Sequence, residues 1–365
     1  MRRSSALASV AILLVVFFLL ATQLQSLRDF ATPPLNVESW RPVANFSDVP
    51  GFAKQVSAAD VLARPPTVNA TTIPRLFHQS WKSLSLPAKF EKWSNTCRKQ
   101  HEGWEWVIWT DEDNLALVRK HFPWLETLYH DLPGEIYRAD LARYLYMYIY
   151  GGVYADLDTD CLRPTEDLQD SYDVLFDDNG PKPAKDTAIF GRMGIDPSFA
   201  HSIPNAWMAS TPGHPFFLSF LQSLTENVKK LKRKWGKMPE AEHVTGPAAL
   251  REAIIRYESD KVRFGYGLGE QVSDMVRKGP FAKAAIREHQ VLLLPNHFIY
   301  PYSWGSDGIN VRQTCWVLSK TFDAEKCKAA VEVERMKSIS ITYWSHTHTP
   351  SGHDNANMKH LEADA

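Results

Sequence analysis

Asp156, Asp158 and Asp160 stand at alternate positions directly after the apolar run VYA. In extended or turning backbone, residues two apart point the same way, so Asp156 and Asp158 can converge on one hard divalent cation through oxygen ligands. Mg²⁺ or Mn²⁺ suits such a pair, because it takes one or two protein carboxylates, keeps several waters and completes its shell with substrate phosphate oxygens. Other readings fit the same letters. A calcium loop would use Asp156, Asp158, Asp160 and Asp167, but Cys161 stands where its sharp turn needs Gly, and Pro164 falls inside the loop. A DxDxT phosphohydrolase nucleophile at Asp156 would need Thr at position 160. A solvated acidic turn without any ligand is the third alternative.

The elements that must position these carboxylates are legible on either side. Residues 136–150 carry Leu141, Leu145, Tyr148 and Ile149 at helical spacing, interrupted by Arg138, Asp140 and Arg143. Gly151 and Gly152 stop that helix and 153–157 read as a short strand, so helix, Gly-Gly, strand and DxD form one unit aiming carboxylates into a crevice. Asp140 and Arg143 are read as ligand contacts, since charges on a buried face need partners; the alternative is a surface ion pair worth under about 1 kcal/mol. Residues 73–79, IPRLFHQ, read as the first strand, leading through Gln79 and Ser80 to Trp81, which is either a platform for a base or a core aromatic. Residues 104–110 read as a second strand whose Trp residues are core, and Asp111, Glu112 and Asp113 open the next helix. Gly246-Pro247 is turn chemistry before a helix at Ala248, and 341–349, ITYWSHTHT, read as a strand followed by His346 and His348.

The strings RADLARYLYMYIYGGVYADLDT, IPRLFHQSWK and WEWVIWTDED together resemble the DxD-containing fungal mannosyltransferases, the family of the α-1,6-mannosyltransferases acting on N-glycans and of the inositol phosphoceramide mannosyltransferases. The similarity runs from about residue 73 to about 344. It implies an α/β GT-A fold, Rossmann-like, with a mostly parallel sheet flanked by helices. It also implies a nucleotide-sugar donor, with GDP-mannose the most consistent, a bound Mn²⁺ or Mg²⁺, and transfer with retention of anomeric configuration. Asp156 and Asp158 match the metal- and diphosphate-binding pair and are the expected catalytic residues, while Asp140 and Arg143 match positions that hold the donor sugar. Arg138, Gln79 and Trp81 are expected on the substrate side, Gln79 and Trp81 through the nucleotide-binding loop after the first strand. Segments 205–215 and 244–247 resemble parts that lie against the donor sugar or the acceptor. His346 best matches a Trp-x-His segment expected to complete the metal shell, but Thr347-His348 replaces the family's Ser-Trp, so His348 stays a candidate. The expected acceptor is a glycan or glycolipid, with a mild tilt toward a glycan because no later apolar span appears.

At 365 residues with 44% hydrophobic and 12% aromatic content, the chain can bury one large α/β core. Its 41 Lys and Arg balance 42 Asp and Glu, so no basic field draws polyanions and nucleic acid is not an expected partner. Arg2 and Arg3 precede an apolar stretch, 6–24, close to the ~20 residues that span a bilayer. It is read as a signal anchor behind a cytosolic tail, 1–5, with a cleaved signal peptide as the alternative. A polar luminal stem would cover 25–72, the catalytic domain 73–350, and a disordered tail 351–365. Asn45 and Asn69 head glycosylation sequons, and Cys97, Cys161, Cys315 and Cys327 fit an oxidising lumen, Cys315 and Cys327 being the pair closest in sequence. These signs point to a single-pass Golgi or ER membrane protein, with other luminal glycosyltransferases as expected partners. The basic run from Lys229 to Lys237 is read as a solvated helix face, or as a contact for anionic lipid. A dehalogenase-type phosphohydrolase using Asp156 and a non-catalytic luminal glycan-binding subunit are the competing functions.

Overall fold

The computed structural model describes residues 40–44, 49–176, 185–234, 239–264, 268–284, 287–348 and 357–362. The apolar stretch 6–24 and the sequon residue Asn45 lie outside them. Among the described residues, no helix is long and apolar enough to cross a membrane.

A mixed sheet organises the chain. In chain order its strands are β1 (Lys54–Gln55), β2 (Leu76–Ser80), β3 (Glu105–Trp109), β4 (Gly152–Ala155), β6 (Lys185–Gly191), β7 (Trp207–Ser210) and β8 (Glu288–Leu294), while β5 (Thr159–Cys161) and β9 (Ser340–Thr342) form a separate antiparallel pair. The strand order is β8-β6-β7-β4-β2-β3-β1. All neighbours run parallel except β7, which lies antiparallel between β4 and β6. With helices packed on it, this mostly parallel sheet fits the expected α/β GT-A class. Trp104, Trp106 and Trp109 are buried, as a strand covered on both faces requires.

The helix before the aspartates, α4 (Glu135–Ile149), packs on α3 (Asp111–His121) and is buried all round from Asp140 onward. A helix without a solvent face belongs inside a core, and Leu141, Leu145 and Ile149 join the main hydrophobic cluster. Gly151 and Gly152 then adopt positive φ, +62° and +87°. A Cβ on Gly152 would stand 2.2 Å from the Leu76 carbonyl oxygen, so β4 pairs with β2 only because nothing projects there. His78 fixes the same turn from the side: its Nδ1 accepts from Trp109 Nε1 at 3.0 Å and its Nε2 donates to the Gly151 carbonyl at 3.0 Å.

Several expected boundaries move. The strand expected over 153–157 ends at Ala155, so both metal candidates lie beyond it, on the turn into β5. Folded structure begins before residue 73, inside the segment expected to be a stem. Ala53 is fully buried, β1 is the edge strand against β3, and α1 (Ala58–Ala63) buries Ala58 and Val61. A two-residue strand and a six-residue helix have too little periodicity to be seen in a polar, Pro-rich segment. The tail expected to be disordered contains a helical turn, Lys359–Glu362, whose Glu362 accepts from Trp40 Nε1 at 3.1 Å, and Leu361 is fully buried. Cys97 in α2 (Ala88–Gln100) is bonded to Cys161 in β5, and Cys315 to Cys327. Lys229 and Lys230 are exposed near the end of α5 (Pro215–Lys234), while the side chains from 231 to 238 lie outside the described residues.

Candidate active site

Neighbouring parallel strands β3, β2 and β4 end together, with Ser80 in register with Trp109 and Asp156 just past β4. Their carboxyl ends open into a cavity of about 410 Å³ whose lining includes Trp81, Asp140, Arg143, Asp156 and Asp158. This is where open α/β sheets bind ligands.

Asp156 is held from two sides. Tyr154 donates its hydroxyl to Oδ1 at 2.6 Å, and Arg143 Nη1 lies 3.1 Å from the same oxygen. Burial pushes the Asp156 carboxyl up to about 6, while Arg143 opposes that rise and Asp158 adds to it. Asp158 is 8% exposed, and its Oδ2 accepts from the backbone N–H and the hydroxyl of Ser345 at 2.7 and 2.8 Å. Its Oδ1 is buried with no hydrogen-bond partner among the described residues. Leaving such an oxygen bare costs about 1–3 kcal/mol or more for a charged group, so a cation is the ligand this position fits. Two carboxylates are what Mg²⁺ or Mn²⁺ asks of a protein when phosphate and water supply the rest.

The third expected ligand is not drawn in. Among the described residues no group of three or more His, Cys, Asp or Glu side chains converges to hold an ion. His346 lines the same cavity, but its ring meets Trp304 and Trp316 edge-on, with centroids 5.7 and 6.3 Å apart, on a backbone of φ +46°. His348 also lines the cavity, 3.1 Å from the Thr347 hydroxyl.

Asp140 and Arg143 are both buried and bonded to each other, Nη2 to Oδ1 at 3.2 Å. Asn205 Nδ2 donates to Asp140 Oδ1 at 2.8 Å and the Thr245 hydroxyl to Oδ2 at 3.1 Å, while Arg143 Nη1 donates to the Asn205 carbonyl at 2.9 Å. Arg143 therefore bridges Asp140 and Asp156. Burial works against its charge, yet Asp156, Tyr154 and Asp140 hold the guanidinium above its ordinary range. Burial also pushes Asp140 up to about 6, against the pull of Arg143, Asn205 and Thr245. The surface ion-pair alternative is thus excluded for this pair.

Two expected substrate contacts are corrected. Arg138 donates to the Leu132 carbonyl at 2.9 Å, pairs with Glu135 at 3.5 Å and is absent from the cavity lining. It starts about 200° around the helix from Asp140, on the opposite side of α4. Gln79 is fully buried on the other side of β2 from Ser80, and its Oε1 accepts from Ser94 at 2.6 Å and Trp106 at 3.0 Å. Trp81 does line the cavity, packed edge-on against Phe90 at 5.1 Å, with the Lys82 ammonium 5.3 Å from its ring centroid. Asn69 is exposed. Asp160 faces away, bound to Lys328 at 2.8 Å and Tyr343 at 3.2 Å.

Residues 87–175 match the family model described as the glycosyltransferase sugar-binding region containing a DXD motif. This stretch is similar to the sugar-binding region of DXD glycosyltransferases. The chain is 32% identical to inositol phosphoceramide mannosyltransferase 1 of Schizosaccharomyces pombe, over 51% of this chain and 52% of that protein. It is 23% identical to the initiation-specific alpha-1,6-mannosyltransferase of Candida albicans, over 53% of this chain and 55% of that protein. The matches thus span about half the length of these relatives. Among solved structures, the PaToxG glycosyltransferase aligns at 13% identity with a TM-score of 0.35, over 62% of this chain and 91% of that one. The match to the family model ends at residue 175, before several residues that shape the site. Tyr154 could have been found, because it stands two residues before Asp156, where extended backbone points both side chains the same way. Asn205 and Thr245 lie within segments singled out only as a whole, and nothing in the sequence marks Ser345.

Proposed function

We propose that this chain is a metal-dependent retaining glycosyltransferase that moves a hexose, most consistently mannose from GDP-mannose, onto a glycan or glycolipid acceptor. The observation that carries this reading is the bare, buried Asp158 Oδ1 beside Asp156 at the ends of the parallel strands, with the Asp140–Arg143 pair in the same cavity. The mannosyltransferase relatives support the sugar. Asp156 and Asp158 would hold Mn²⁺ or Mg²⁺, which when bound supplies Lewis-acid stabilisation of the departing diphosphate. Asp140 and Arg143, fixed by Asn205 and Thr245, orient donor hydroxyls, and positioning of that kind supplies part of the ~7–11 kcal/mol available from orientation. Trp81 offers its ring to the base. No protein nucleophile is assigned.

The phosphohydrolase alternative gains no support, since the position its motif gives to Thr is the buried Asp160, bound to Lys328. Two disulfides and the exposed Asn69 support a luminal address in the secretory pathway. The test is to incubate the full chain with Mn²⁺ and a panel of nucleotide sugars and to measure nucleoside diphosphate release. Release from a GDP sugar, abolished by Asp158→Ala, is the expected result. Silence with every donor would turn the assignment toward a non-catalytic glycan-binding subunit.

A further inference from the structure

The cavity carries a second cluster of side chains beside the Asp140–Arg143 pair. Asn205 and Thr245, the residue that caps the short helix α6 (Ala241–Val244), grip Asp140, and the same two segments bring His201 Nε2 to 3.2 Å from Glu242 Oε2. The backbone there is close to the sugar-positioning pair: a Cβ on Gly246 would lie 2.8 Å from Glu242 Cα and 3.4 Å from Asp140 Oδ2. His201 is 9% exposed, and its Nδ1 is buried without a hydrogen-bond partner among the described residues. Glu242 keeps its side chain 44% exposed. Trp304 stands beside them, its ring centroid 5.2 Å from that of His201, and is only half-buried. His201, Glu242 and Trp304 all line the cavity that holds Asp156 and Asp158.

This grouping has a recognisable chemistry. An imidazole that faces a carboxylate with Nε2 donates there, and that hydrogen bond holds the Glu242 carboxyl below the usual glutamate range. At neutral pH Glu242 is therefore an anion, able to accept hydrogen bonds from hydroxyls. A half-buried indole supplies the flat apolar surface on which the C–H face of a sugar or cyclitol lies. Hydroxyl-binding carboxylate and aromatic platform together fit a neutral polyhydroxylated ring.

We propose that Glu242 and Trp304 form the subsite for the ring that receives the sugar, with His201 as the residue that positions Glu242. The proposal rests on the glycosyl-transfer reading above. It places the receiving ring next to the Asp140–Arg143 pair that orients the donor, which the reaction requires.

The experiment uses the full chain with Mn²⁺ and GDP-mannose, and follows transfer to methyl α-mannopyranoside and to myo-inositol beside GDP release to water. Glu242→Gln and Trp304→Leu should each raise KM for the preferred probe about tenfold, the loss of one good contact. Donor KM and release to water should stay within about twofold of wild type, because uniform donor binding is untouched. His201→Ala should raise the same acceptor KM without moving donor KM. An unchanged acceptor KM, or a parallel fall of release and transfer, overturns the proposal. If the wild-type chain consumes no nucleotide sugar, or consumes it without transfer to either probe, saturation-transfer NMR with the two probes decides the subsite independently. Signals present in the wild type and lost in Trp304→Leu support it. Signals absent from the wild type, or equal in both, overturn it.

Discussion

Arg143 is the residue on which the site's electrostatics turn. It is the cation shared by the buried Asp140 at 3.2 Å and the half-buried Asp156 at 3.1 Å, and its own side chain is 6% exposed. Taking away one member of a buried ionic group leaves the others desolvated and unpaired, which costs about 3–5 kcal/mol. Arg143→Met should therefore lower unfolding free energy by about that amount in urea titrations, and a change under about 1 kcal/mol would show that water already compensates the two anions. The pair itself was legible, because three residues apart on a helix is one face. The grip on it was not. Asn205 and Thr245 reach Asp140 from 65 and 105 residues away, and no local period reports a contact of that span. The same helical geometry, applied to Arg138, would have counted against it on the substrate side, since it starts on the opposite side of α4 from Asp140.

Between residue and molecule, the unit that matters is α4, the Gly-Gly turn and β4. Both glycines were readable as a helix stop, but their second duty shows only in three dimensions. Gly152 lets β4 approach the Leu76 carbonyl, and Gly151 lies where a Cβ would meet the Ser210 carbonyl at 2.6 Å, so β2 and β7 close on the turn from two sides. His78, wedged between Trp109 and the Gly151 carbonyl, locks the arrangement. Gly152→Ala adds a backbone clash to a left-handed φ, and should cost more than the ~1 kcal/mol of an ordinary Gly-to-Ala misfit. A thermal melt should show a large loss of Tm, whereas Gly103→Ala, also at positive φ but in open space, should show a small one. Equal losses would mean that φ alone, and not the approach of β2, sets the cost. What stayed hidden at this scale was the short β1–α1 entry, whose elements are too brief to carry a pattern and which the sheet edge alone makes regular.

Across the whole molecule, the fold stores uncharged histidines in its core. Burial lowers His78 and His214 to about 3 and His101 to about 4, each despite a backbone hydrogen bond that favours the charged form. A folded-state value below the unfolded one, near 6.5, means that the unfolded chain binds protons first as pH falls. The stability held by these neutral rings is thus complete above about pH 6.5 and is lost progressively toward pH 4 and 3. Asp140 and Asp156 act in the opposite sense, because their raised carboxyls are relieved by protonation as pH falls through 6. The histidine contribution is therefore best read by difference at one position far from the cavity. His101 donates from Nδ1 to the Cys97 carbonyl and accepts at Nε2 from Thr165, both at 2.7 Å. His101→Asn loses those contacts but cannot titrate, so its deficit relative to wild type should shrink by roughly 2 kcal/mol between pH 7 and pH 5. Paired urea titrations at the two pH values measure that change, and a gap that stays constant would mean that His101 is already charged, or already hydrated, in the folded chain.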